Sequence, residues 1–92
     1  MRETAIEKYL TKKVKAEGGI CYKWVSPGQR GVPDRIAIFP GGKVYFVELK
    51  APGKEAEPLQ IRQHRILNNL ACHVIVIDNK LDVDLFLEEV AK

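Results

Sequence analysis

Residues 35–50, RIAIFPGGKVYFVELK, constrain the fold more than any other stretch of the chain. Arg35 to Phe39 is a short apolar run, Lys43 to Lys50 is rich in Val, Tyr and Phe, and Pro40-Gly41-Gly42 lies between them. Branched and aromatic side chains favour strands, and a short Gly-rich turn between two such runs predicts a hairpin. A strand alternates faces, so Val44, Phe46, Glu48 and Lys50 share one side and Leu49 points opposite. That side is apolar for most of its length and then abruptly charged. A carboxylate and an ammonium beside a core are costly unless each finds a partner. The turn also places Asp34, at the mouth of the first strand, near Glu48 at the open end of the hairpin.

The flanking segments complete an α/β pattern. From about Glu3 to Glu17, Ile6, Leu10 and Val14 recur every four residues with Tyr9 beside them, which predicts a helix stopped by Gly18-Gly19. Ile20 to Val25 reads as a first strand, followed by a polar, Gly-rich loop from Ser26 to Gly31. Pro58 suits the first turn of a second helix, where its missing N–H does no harm. Leu59, Ile66, Leu67 and Leu70 predict one half-buried face for that helix. His73 to Ile77 reads as a strand covered on both sides. A last helix is expected from about Val83 to Ala91, with Val83, Phe86, Leu87 and Val90 inward. The order is αβββαβα, a small mixed β-sheet flanked by helices.

Composition bounds the rest. The 92 residues, 46% apolar, are enough for one globular domain, 1–92. A chain of this size buries only about 60 to 65% of its unfolded surface, so a dimer interface would add useful burial. No apolar run reaches the roughly 18 residues of a membrane span, and the first residues, MRETAIEKYL, lack the apolar stretch of a signal peptide. A cytoplasmic protein without membrane association is expected. Cys21 and Cys72 read as reduced thiols, and with His64 and His73 they match no zinc-ligand spacing. The net charge of +3 is unevenly distributed: residues 1–65 carry 13 basic and 7 acidic residues, and residues 66–92 carry 2 and 5. The first two thirds can therefore present a face to a polyanion.

Two converging carboxylates repel each other, and a divalent cation relieves the repulsion. An oxygen-rich site with few ligands suits Mg²⁺ or Mn²⁺. With Lys50 beside them, Asp34 and Glu48 supply the parts for metal-assisted phosphodiester hydrolysis. Taken alone, E-x-K at a strand end is also the pattern of a surface ion pair.

Gly31-Val-Pro33-Asp34-Arg is followed by Val47-Glu48-Leu-Lys50 and then by Pro58-Leu-Gln60. This order of motifs resembles the PD-(D/E)xK nuclease superfamily, and in spacing its VRR-NUC branch, which often occurs as small stand-alone domains in phages and bacteria. Glu3-x-x-Ile6 and the Gly-Gly after the first helix extend the resemblance over nearly the whole chain. It implies a restriction-endonuclease-like core and a Mg²⁺- or Mn²⁺-dependent endonuclease cutting DNA. Asp34 and Glu48 would be metal-binding carboxylates, the Leu49 backbone carbonyl a further ligand, and Lys50 the catalytic lysine. Gln60 would orient a water, with Gln63 the competing residue one turn away. Glu3 matches the family's helical acid, either binding metal or holding a water, and Glu7 is its competitor. The family commonly places a Gly where this chain has Ala71.

Stand-alone members of this group resemble Holliday-junction resolvases in fold and dimeric form, which implies a homodimer acting on branched DNA in a bacterial or phage-infected cell. The alternative is a DNA-structure-binding module that keeps the fold and cuts nothing. Lys23, Arg30 and Arg35 are expected around the site as DNA contacts, with Gly31 letting backbone approach a phosphate. Trp24 and His64 are expected in ordinary structural roles, His64 as a partly exposed helical residue.

Overall fold

The computed structural model describes residues 2–92. Seven elements follow in the predicted order: α1 (Glu3–Ala16), β1 (Ile20–Lys23), β2 (Arg35–Phe39), β3 (Lys43–Leu49), α2 (Pro58–Asn69), β4 (His73–Ile77) and α3 (Lys80–Ala91). They build one mixed sheet in the spatial order β1-β2-β3-β4. The first three strands are antiparallel, and β4 runs parallel to β3 after the crossover through α2. The hairpin turn closes with the Gly42 N–H donating to the Phe39 carbonyl, and both Gly41 and Gly42 have positive φ. Glycine meets that demand without steric cost.

The core lies on the inner side of the sheet. Ile6, Leu10 and Val14 of α1 and Val83, Phe86, Leu87 and Val90 of α3 pack on Ala37, Phe39, Val47, Leu49 and Ile77. Phe39, Tyr45 and Phe86 meet edge to face, with ring centroids 5.1 to 5.9 Å apart. This is the geometry their quadrupoles prefer. The Tyr9 hydroxyl donates to Asp84 at 2.7 Å and ties α1 to α3. Cys21 and Cys72 are free and half-buried. No helix among the described residues is long and apolar enough to cross a membrane.

Four expectations need correcting. The last helix starts at Lys80 rather than near Val83, because the Asn79 side chain accepts from the Asp82 N–H and caps the extra turn. β1 ends at Lys23, two residues short of Val25. Of the apolar residues expected on one half-buried face of α2, Leu67 is half-buried but Leu59, Ile66 and Leu70 are exposed, and the buried residue of that helix is His64. β4 is an edge strand whose Val76 is exposed, so its apolar run is not covered on both sides. The outer side of the sheet carries the cross-strand ladders Tyr22–Ile36–Phe46–Val74 and Ile20–Ile38–Val44. Several of these residues are open to solvent, Tyr22 at 56% and Ile20 at 50%.

Candidate active site

The site forms where the open end of the hairpin meets the first turn of α2. β3 ends in Glu48-Leu49, and Asp34 immediately precedes β2. The Leu49 N–H donates to Asp34 Oδ2 at 2.8 Å, which brings the two acid-bearing segments together. The loop between β1 and β2 is closed at its base by the Trp24 N–H donating to the Asp34 carbonyl. Trp24 itself packs on Phe46, ring centroids 5.3 Å apart, on the outer side of the sheet.

Glu48 is the most unusual residue of the molecule. Its carboxylate is 1% exposed. Oε2 accepts from Gln60 Nε2 at 2.8 Å, and Lys50 Nζ lies 3.7 Å from the same oxygen. Oε1 is buried without a hydrogen-bond partner. Burial, then repulsion from Asp34, push its pKa up to about 8, against the pull of Lys50, and the Glu3 charge adds to the rise. A buried carboxylate with an orphan oxygen and a second carboxylate beside it is electrostatically unfavourable until a cation or proton arrives.

Gln60 is held at both ends of its amide. Its Oε1 accepts from the Glu57 N–H at 2.8 Å, part of the capping box that starts α2, so its Nε2 is left facing Glu48. Glu57 as a cap is a residue the sequence reading missed, although E-P-L-Q spells the cap-to-third-position spacing. Gln63 points elsewhere, lining a shallow groove with Arg30 and Arg62. The glycine at 31 serves this same turn of helix. Its φ is +82°, and a Cβ there would sit 2.6 Å from the Leu59 carbonyl oxygen and 3.0 Å from the Gln60 nitrogen. The close approach expected toward a phosphate is thus made to the backbone of α2.

His64 corrects another expectation. It is 9% exposed, one helical turn after Gln60, with Nε2 4.0 Å from the orphan Glu48 oxygen and itself unpartnered. Burial and the Lys50 charge lower its pKa, which favours the neutral ring. The spacing of four from Gln60 is the signal that places it on the same face.

The remaining expected residues divide into two groups. Glu3 stands exposed at the start of α1, near enough for its charge to act on Glu48. Glu7 is committed elsewhere: Arg35 Nε donates to it at 2.8 Å, and Arg35 also donates to the Cys21 carbonyl. Arg35 therefore turns toward α1 and away from the acid pair, as strand alternation after Asp34 requires. Lys23 is exposed on β1 opposite Arg35, and Arg30 is exposed beside α2. Among the described residues, none of these three cations forms an ion pair with Asp34 or Glu48. Asp34, Glu48, Lys50 and Gln60 do converge.

The donor set can be tested against a divalent cation. Among the described residues, no group of three or more His, Cys, Asp or Glu side chains is arranged to hold a metal ion. Two carboxylates, one with an unused buried oxygen, nevertheless fit a Mg²⁺-type ion, which typically takes one or two carboxylates and fills its shell with water and substrate oxygens.

No family model matches the chain. A protein named "Putative nuclease p44", from Acyrthosiphon pisum secondary endosymbiont phage 1, is 52% identical over 80 residues, covering 87% of this chain and 86% of that protein. A solved structure titled "VRR_NUC domain" superposes with a TM-score of 0.88 over 94% of each chain, at 31% identity.

Proposed function

Because the chain belongs to the VRR-NUC family and has its restriction-endonuclease-like fold, we propose that it is a Mg²⁺- or Mn²⁺-dependent endonuclease that hydrolyses DNA phosphodiester bonds. The observation that carries this reading is Glu48: a buried carboxylate with an unpartnered oxygen, beside Asp34, with Lys50 3.7 Å away. Residues 1–92 act as one nuclease domain.

Asp34, Glu48 and the Leu49 carbonyl would hold the cation, with Glu3 reaching it directly or through water. A divalent ion in such a site activates a water and neutralises charge developing on the phosphate. The chain's own groups do the rest. Lys50 presents its ammonium to the nucleophilic water or a phosphate oxygen, kept in place by Glu48. Gln60, fixed by the cap of α2, holds the Glu48 carboxylate in one orientation. His64, neutral and buried, closes the inner wall and keeps bulk water off the orphan oxygen.

Branched DNA and a homodimer complete the proposal. The outer side of the sheet supports the dimer, since Ile20, Tyr22 and Val44 of its apolar ladders are exposed. The phage origin of the relative supports a setting in phage-infected cells. Sedimentation of the wild type against Tyr22→Glu tests the dimer, and a variant that still sediments as a dimer places the interface elsewhere.

The activity is tested by incubating supercoiled plasmid, linear duplex and a four-way junction with Mg²⁺, Mn²⁺ or EDTA. Asp34→Ala and Lys50→Ala are run alongside. Loss of each residue should abolish cutting, and EDTA should do the same. Cleavage that survives EDTA and Asp34→Ala sinks the mechanism. Binding of every substrate with no cutting under any metal favours the non-cleaving module instead.

A further inference from the structure

Away from the acid pair, α1 carries a second organised feature. A groove of about 490 Å³ runs along it, lined by Thr4, Glu7, Lys8, Lys12 and Lys15 of the helix and by Arg35 of β2. The three lysines fall at i, i+4 and i+7 and form one stripe, while Ile6, Leu10 and Val14 are buried on the other side of the helix. Arg35, the fourth cation, is fixed in the wall by Glu7 and by the Cys21 carbonyl. Glu7 is thereby committed to Arg35. Among the described residues, no carboxylate lies within ion-pair distance of Lys8, Lys12 or Lys15.

Position gives the stripe a direction. The groove begins at Thr4, next to Glu3, whose charge acts on Glu48, and ends at Lys15. Those eleven helical steps cover roughly 16 Å. That length matches about five phosphates along one strand of a duplex. The lysines are spaced about 6 Å and 4.5 Å along the helix axis, within the range a flexible stem can match to successive phosphates. Their aliphatic stems cover the floor while the ammonium groups reach the rim.

We propose that this groove is a second nucleic-acid contact, a backbone channel in which Lys8, Lys12 and Lys15 hold the strand that leads away from the cleaved phosphodiester. It reads phosphates and not bases, so it adds affinity and register without sequence preference. The proposal rests on the nuclease reading for the identity of its ligand. It also accounts for the side of the molecule that the dimer leaves open, since α1 packs on the inner side of the sheet.

The test separates binding from cutting. The triple variant Lys8→Gln, Lys12→Gln, Lys15→Gln is compared with wild type for binding a fluorescent duplex and a four-way junction in EDTA, across a salt series. A charge-matched control, Lys13→Gln, Lys80→Gln, Lys92→Gln, lies outside the groove. Removing one phosphate-binding lysine lowers the slope of log affinity against log salt by about 1, so the slope of the groove variant should fall by about 3. Its affinity near 0.1 M salt should fall more than tenfold. With Mg²⁺, KM should rise by a similar factor while kcat stays at the wild-type value. The control should keep nearly the wild-type slope. A wild-type slope in the groove variant overturns the channel, and so does an equal drop in the control, which would mean that only net charge matters. If the wild type binds through the groove yet never cuts, the channel stands and the nuclease reading falls.

Discussion

The two helices that bracket the candidate site are held by different forces. α1 is anchored by a full apolar stripe, Ile6, Leu10 and Val14, each with no exposed surface. α2 turns Leu59, Ile66 and Leu70 to solvent, the last at 71% exposure, and buries His64 while Gln60 reaches Glu48. The hydrophobic effect places α1, whereas polar contacts to one buried carboxylate orient α2. A helix oriented in this way gives up packing energy to hold functional groups in place, and its stability becomes linked to whatever charge the carboxylate carries.

Core truncation should expose this contrast most strongly. Leu10→Ala removes a fully buried side chain and should destabilise the protein by about 2 to 5 kcal/mol. Ile66→Ala on α2 should cost about 1 kcal/mol or less. Urea unfolding of both variants checks the ratio. Equal losses would mean that α2 is packed as α1 is, and the contrast would fail.

A pH series without metal comes next. Glu48 has a folded pKa of about 8 against a usual 4.5. Between these values the folded protein keeps a proton that the unfolded chain releases, so stability falls as pH rises through the window. His64, with a lowered pKa, opposes this only below its usual value of about 6.5, where falling pH protonates the unfolded chain first. From pH 6.5 to 8 Glu48 therefore acts without that opposition and can remove up to about 1.4 kcal/mol per pH unit. Glu48→Gln should flatten the thermal-unfolding profile over that interval. Added Mg²⁺ should stabilise the wild type more at pH 8 than at pH 6, and an identical gain at both would argue against a cation relieving Glu48.

These two regions also differ in how legible they are in the sequence. The apolar stripe of α1 can be read from a period of four, and the approach of Asp34 to Glu48 follows from the short turn and from strand alternation. Both are local patterns. The orientation of α2 is not local. Its apolar residues suggest an inward face, but the capping bond from the Glu57 N–H to Gln60 and the need of buried Glu48 for a donor rotate that face outward. His64 becomes visible only once Gln60 is known to point inward. Likewise, Glu7 and Glu3 are equivalent on a helical wheel until Arg35, one strand away, claims Glu7.

Gln60 sharpens the point at a smaller magnitude. Gln60→Ala removes a helix-capping partner and a hydrogen bond to a buried carboxylate, for an expected loss of about 1 to 2 kcal/mol. Gln60→Glu keeps the cap but places another negative charge beside Glu48, so its loss should grow with pH where that of Gln60→Ala does not. Unfolding at pH 6 and 8 distinguishes them. A pH-independent penalty for Gln60→Glu would show that the side chain serves the cap alone.

The smallest expected effect sits at the other end of α2. Ala71 has a φ of +65°, the one non-glycine residue with positive φ among the described residues. It follows the last turn, where the Cys72 N–H donates back to the Leu67 carbonyl and the Ala71 N–H to that of Asn68. This is the left-handed helix stop that glycine usually makes, since a Cβ there costs about 1 kcal/mol. Ala71→Gly relieves the strain but loosens the unfolded chain, and the first effect should win because the native φ suits glycine. The expected net gain is about 0.5 to 1 kcal/mol, read as a rise of a few degrees in melting temperature. Because the substitution lies at the far end of the helix from Gln60, the gain should be the same at pH 6 and pH 8. A pH-dependent gain would mean that the whole of α2 responds to Glu48 as a rigid unit and not only its first turns.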